Sequence, residues 1–136
     1  MDIFSEIKKH NFPVDEYVVI GGAALAARGL KETNDIDIVV SPKLLDEYRN
    51  KEGWHHHPRI IPTEEAGVAN DEGTIELYPN VGGIAEMTFE RLKKNSELID
   101  GVPFAGLRDV KLVKEVYARE KDLIDVAKIE AYLASK

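Results

Sequence analysis

Tyr17-Val18-Val19-Ile20 runs straight into Gly21-Gly22, and an alanine-rich stretch, residues 23–28, follows without a break. That order constrains the fold more than any other feature of the chain. The apolar run, rich in β-branched residues, makes a buried strand. The glycine pair supplies a tight turn, where the backbone can take angles closed to other residues. Alanine then favours a helix, and Gly29 is suited to end it. A strand that hands over to a helix in this way aims the free N–H groups of the helix N-terminus at one spot. Such a spot suits phosphate oxygens. An isolated glycine pair is more often a plain turn, so its weight comes from what lies beside it.

What lies beside it is Asp35-Ile36-Asp37-Ile38-Val39-Val40, a second strand over 35–40. Aspartate is disfavoured in strands, yet here it occurs twice among isoleucine and valine. Alternation predicts Asp35 and Asp37 on one face, with Cα atoms ~6.6 Å apart at a rise of ~3.3 Å per residue. Ile36, Ile38 and Val40 then face a core. Paired carboxylates repel one another unless a cation stands between them. Mg²⁺ is commonly held by one or two carboxylates together with substrate phosphates. Asp35 and Asp37 are therefore the candidate ligands for Mg²⁺, or for Mn²⁺ in its place. A solvent-facing strand end would explain a lone Asp-x-Asp equally well. The glycine turn next to it favours the metal reading.

The other segments fill in an α+β plan. Residues 2–11 read as an amphipathic helix, and Ser41-Pro42 opens another, with serine as N-cap. Residues 54–61 read as a strand, 63–73 as a polar loop, 74–78 and 84–87 as short strands, and 97–105 as a hairpin turning at Asp100-Gly101. A helix starts at Thr88. Residues 107–133 read as two helices meeting near Lys121-Asp122. With no repeat and no linker, a single domain over 1–136 is expected, a mixed sheet flanked by helices.

Composition narrows the function. There is no cysteine, which excludes disulfides and thiolate metal sites. A net charge of −7 suits cation-holding acids better than non-specific grip on phosphate backbones. The N-terminus, Met1-Asp2-Ile3-Phe4-Ser5-Glu6, lacks the apolar core of a signal peptide, and no stretch approaches the roughly 20 apolar residues of a membrane span. A cytoplasmic protein is expected. His55-His56-His57 lacks the further His or Cys of a zinc shell, and is read as a polar strand beside the cleft that contacts the base or acceptor. Without a Gly-x4-Gly-Lys-Ser/Thr motif, a kinase or phosphohydrolase has little support.

The Gly-Gly pair, followed about a dozen residues later by Thr33-Asn34-Asp35-Ile36-Asp37-Ile38, resembles minimal nucleotidyltransferases of the DNA polymerase β superfamily. Within it, the chain is most similar to the bacterial AbiEii-like group, some of whose members are toxins of toxin–antitoxin pairs. Lys114-x4-Arg119-x-Lys121-Asp122-x2-Asp125 is similar to that group's C-terminal signature. The resemblance implies a nucleotidyltransferase fold and Mg²⁺-dependent transfer of a nucleoside monophosphate from an NTP to a hydroxyl on RNA, protein or a small molecule. It implies Asp35, Asp37 and a third carboxylate as catalytic metal ligands. Glu76 is preferred over Glu86 for that place because Ile75, Leu77 and Tyr78 are the better strand formers. Gly21, Gly22, Lys31, Thr33, Lys114 and Lys121 would bind the nucleotide. On a nearly continuous helix Lys111, Lys114, Lys121 and Asp125 would share a face, opposite Leu112, Val113, Val116, Leu123 and Ile124, with Lys111 merely solvated. Ala23 stands where many relatives have serine, so Ala23→Ser should strengthen triphosphate binding. The alternative is a non-catalytic or partner-dependent nucleotide-binding module, half of a toxin–antitoxin pair. With no acceptor domain, a homodimer interface or a partner protein would supply the acceptor site.

Overall fold

The computed structural model describes residues 1–58 and 66–136. Helix α1, Ile3–Lys8, is capped by Asp2, whose carboxylate accepts from the Phe4 and Ser5 N–H groups. Strand β1 is Tyr17–Ile20 and passes directly into helix α2, Gly21–Ala26. Gly29, at φ 74°, ends that helix, and the Leu30 N–H reaches back to the Leu25 carbonyl at 3.0 Å. This is the left-handed glycine stop expected from the sequence. Strand β2 is Ile36–Val40. Helix α3, Pro42–Arg49, carries Ser41 as its N-cap.

Strands β3, Trp54–His57, β4, Gly67–Asn70, and β5, Ile75–Tyr78, follow. Helix α4 is Phe89–Lys94, and β6 (Glu97–Ile99) and β7 (Val102–Phe104) form the hairpin. Its turn has Asp100 at φ 51° and Gly101 at φ 79°, the paired positive angles that suit a two-residue hairpin turn. Helices α5, Leu107–Tyr117, and α6, Glu120–Ala134, complete the chain.

Among the described residues the strands form one seven-stranded mixed sheet in the order β3-β4-β5-β2-β1-β7-β6. Strand β2 lies at its centre, antiparallel to β1 and parallel to β5. Ile36, Ile38, Val39 and Val40 are fully buried there, as are Ile75 and Leu77 of β5. Central placement fixes the register of β2 on both edges, and a slip of one residue would turn its apolar side chains out of the core. The register sets Asp37 opposite Ile20 on one side and opposite Glu76 on the other.

Four expectations are corrected. Residues 67–70 form β4 rather than loop, because Gly67, Val68, Ala69 and Asn70 are all buried between β3 and β5; small residues carry little strand signal. Residues 84–87 are not a strand. Ile84 and Met87 are buried, but from a coil closed by bonds from Val81 N–H to the Met87 carbonyl and from Met87 N–H to that of Ile84. The helix break falls at Ala118, left-handed at φ 51°. Just beyond it, the Asp122 carboxylate accepts from the Arg119 N–H and starts α6. The strand expected over 54–61 ends at His57, with 59–61 outside the described residues.

The break also reverses the polarity expected for the C-terminal helices. Lys114, Asp122 and Asp125 are buried, while Val116, Leu123 and Ile124 are each more than half exposed. Asp122 and Asp125 lie on the same helical stripe as the buried Val126 and Ile129, at the spacing of one helix face. No helix among the described residues is long and apolar enough to cross a membrane.

Candidate active site

The N-terminus of α2, the ends of β2 and β5, and the inner faces of α5 and α6 surround an open cleft of about 750 Å³. Its floor is acidic. Asp37 and Glu76 are register partners on adjacent strands, which sets their carboxyl groups side by side. Burial, then the hydrogen bond and charge of Glu76, then the charge of Asp35, push the Asp37 carboxyl up to about 7, with Lys114 opposing. A carboxyl so placed keeps a proton or takes a cation.

Glu76 is gripped from its other side as well. Its Oε1 lies 3.1 Å from His57 Nε2, and its Oε2 accepts from the Tyr78 hydroxyl at 3.1 Å. Glu86, the rival for the third acid, sits exposed in the turn before Met87. Asp35 lines the same cleft but stands one residue before β2 and is exposed. Its backbone is held by Thr33, whose Oγ1 accepts from the Asp35 N–H at 3.2 Å and donates to the Asp35 carbonyl at 3.1 Å. Asp35 thus lies just outside the ladder, yet it faces the same cleft as Asp37 and its charge acts on the Asp37 carboxyl. Among the described residues no group of three or more His, Asp or Glu side chains is arranged to hold a metal ion.

The chemistry of the remaining pair still fits Mg²⁺ or Mn²⁺. Asp37 and Glu76 are oxygen donors in contact, with like charges that burial makes costly. A hard cation of this kind needs only one or two carboxylates and takes its other ligands from phosphate and water.

Gly21 and Gly22 abut this floor. Gly21 has φ 63°, and a Cβ there would stand 3.5 Å from Asp37 Oδ2; one on Gly22 would stand 3.4 Å from Thr33 Oγ1 and 3.9 Å from Lys31 Cε. The turn thus brings backbone against Asp37, Thr33 and Lys31 together. Helix α2 has no side-chain cap. Ala23 is fully buried, in the core rather than the cleft, which removes the expected benefit of a serine there.

The opposite wall is an ion network. Lys114 Nζ lies 2.9 Å from Asp125 and 3.6 Å from Asp122. Lys31 Nζ lies 3.1 Å from Asp125, and Arg119 holds Asp122 at 2.6 Å. Burial pushes both carboxyls up, but the hydrogen bonds and charges of Arg119 and Lys114 at Asp122, and of Lys114 and Lys31 at Asp125, together hold them below the usual range. Lys114 and Lys31, expected at phosphate, are held by acids quoted in the C-terminal signature but given no role there: Lys31 by Asp125, and Lys114 by Asp125 and Asp122. The signal was present in the spacing, since both acids continue the Val126–Ile129 stripe. Lys121 is exposed at the cleft margin. Asp125 is paired with Lys114 of α5 and with Lys31. Lys111 makes a loose pair with Glu115 at 4.0 Å, consistent with a solvated role.

The fold is that of the nucleotidyltransferases. No protein-family model matches the chain, and no curated protein matches it. Among solved structures it is similar to the aminoglycoside nucleotidyltransferase ANT(2″)-Ia in complex with adenylyl-2″-tobramycin, with a TM-score of 0.59 and 13% identity, over 96% of this chain and 85% of that one. At that identity the likeness is one of fold.

Proposed function

We propose that this protein transfers a nucleoside monophosphate from an NTP to a hydroxyl acceptor, with Mg²⁺ or Mn²⁺ held by Asp37 and Glu76 and approached by Asp35. The observation that carries the reading is the Asp37–Glu76 contact beside the Gly21-Gly22 turn. The metal would supply electrostatic stabilisation of the attacking and leaving oxygens at the α-phosphate. The protein's part is positioning. The glycine turn offers backbone N–H groups to the triphosphate. Lys31 and Lys114 add positive charge on the opposite wall, and Lys121 adds it at the cleft margin. Fold alone does not select a reaction, so the reading rests on these residues. Incubation with α-phosphate-labelled NTPs and Mg²⁺ should release pyrophosphate and leave label on an acceptor drawn from RNA, protein and small-molecule mixtures. No release with any common NTP and a broad acceptor mixture would count against it.

A second reading is favoured by the position of Asp35. That residue is exposed, and among the described residues no three acids are arranged to hold a metal ion, so on this reading the acidic set would be completed only when a partner docks. A nucleotide-binding module that is silent until a partner docks, as in a toxin–antitoxin pair or a homodimer, would have this property. Nucleotide binding without turnover, followed by turnover when a genomic-neighbour protein is added, would select that reading.

A further inference from the structure

The His55–His57 run is not accounted for by the glycine turn, the acids or the ion network. Strand β3 lies at the sheet edge and β5 lies beyond β4, so His57 must reach across a whole strand to touch Glu76. It can do so because of what β4 leaves out. His57 pairs with Gly67, and Ala69 pairs with Glu76. Side chains of paired and alternate residues share a sheet face, so β4 presents only Gly67 and Ala69 between His57 and the acid. The gap at Gly67 is fully used. A Cβ there would lie 2.6 Å from the Tyr78 ring and 2.6 Å from the Leu77 carbonyl. The His57 and Tyr78 rings meet across it, edge to face, with centroids 6.0 Å apart.

We infer that His57 and Tyr78 form a clamp on Glu76: one N–H and one O–H, reaching over the Gly67–Ala69 trough, fix the two carboxylate oxygens so that the group faces Asp37. This rests on the proposed cation site, for which both are positioning residues. His57 donates from Nε2, the ring nitrogen facing Oε1. Tyr78 donates to Oε2. Without them the Glu76 carboxylate, on a side chain about a third exposed, is free to turn toward water. Partners behind a metal-binding carboxylate commonly matter about 10–100-fold in metal affinity.

The test uses the full chain and Mn²⁺ itself as probe. Mn²⁺ affinity is measured by electron paramagnetic resonance for wild type, His57→Leu, His57→Gln and Tyr78→Phe. His57→Leu and Tyr78→Phe should each weaken binding by roughly tenfold. His57→Gln, which keeps an N–H near the Nε2 position, should recover most of it; a purely space-filling role predicts no such rescue. In parallel, nitrogen NMR of the histidine rings should find His57 protonated at Nε2, with a signal that moves in Glu76→Ala. Wild-type Mn²⁺ affinity in His57→Leu would overturn the clamp while leaving the cation site standing. If the wild type binds no Mn²⁺, the cation site falls and the ring spectrum alone decides: a His57 signal indifferent to Glu76→Ala overturns the clamp.

Discussion

The floor and the wall of the cleft solve opposite electrostatic problems. On the floor, Asp37 meets Glu76, like against like, and the carboxyl of Asp37 is pushed up to about 7. On the wall, Asp122 and Asp125 are also buried from solvent, yet Lys31, Lys114 and Arg119 hold both carboxyls below the usual range. One surface lacks a positive charge, and the other has neutralised its own. On the proposed reading, a metal-bound triphosphate would answer the floor directly. At the wall it would compete with aspartates for Lys31 and Lys114, so the wall would contribute orientation more than raw attraction.

The largest expected effect breaks the comparison at the floor. Asp37→Asn removes the repulsion and a proposed metal ligand together. Transfer should fall by at least the roughly 10²–10³-fold lost with one preorganised electrostatic group, while the metal-free protein becomes more stable, as measured by urea unfolding and by pyrophosphate release. The same kind of change at the wall should run the other way. Lys114→Met leaves Asp122 to Arg119 alone and Asp125 to Lys31 alone, in a setting where breaking a buried pair costs about 3 kcal/mol. Urea melts should therefore move in opposite directions for the two variants. A stabilised Lys114→Met would dissolve the contrast.

Acid titration separates the two regions without mutation. For Asp37 the folded carboxyl binds its proton more tightly than the unfolded one. Its contribution is present at low pH and is lost as pH rises from 3.8 toward about 7. For Asp122 and Asp125 the folded carboxyls are depressed. Their contribution is present above the unfolded value and is lost as pH falls through the folded one. Metal-free stability should then peak in mildly acidic buffer and decline toward neutrality, and the decline should be smaller in Asp37→Asn. The smallest effect is at Ala23. A serine hydroxyl there would enter the core, so Ala23→Ser should cost about 1 kcal/mol of stability and leave triphosphate affinity unchanged by calorimetry.

Strong local signals made part of this legible from sequence. The β-branched runs of β1 and β2, Ser41-Pro42, Gly29 and Asp100-Gly101 each act within a few residues, and each is where the pattern puts it. Glu76 was found beside Asp37 because flanking Ile75 and Leu77 commit it to a central strand. Strand β4 was hidden because Gly67 and Ala69 are chosen for what must pass over them, a demand set by His57 and Tyr78 from other strands. The wall misled for a related reason. Leucine and isoleucine at 123 and 124 read as core and the charges as surface, but one left-handed residue, Ala118, rotates α6 so that its acids face α5. Asp35 falls one residue outside the ladder, yet it lines the cleft with Asp37 as alternation along the strand suggests.

The central claim is that the Asp37–Glu76 floor is a divalent-cation site held short of one positive charge. Its most direct test is the melting temperature of wild type and Asp37→Asn at neutral pH across a Mg²⁺ titration, with an NTP present. Ligands that bind only the native state raise its stability with the logarithm of their concentration. The wild type should start lower and climb with Mg²⁺, and Asp37→Asn should start higher and stay flat. A wild type that does not respond to millimolar Mg²⁺, or a variant that climbs in parallel with it, would contradict the account.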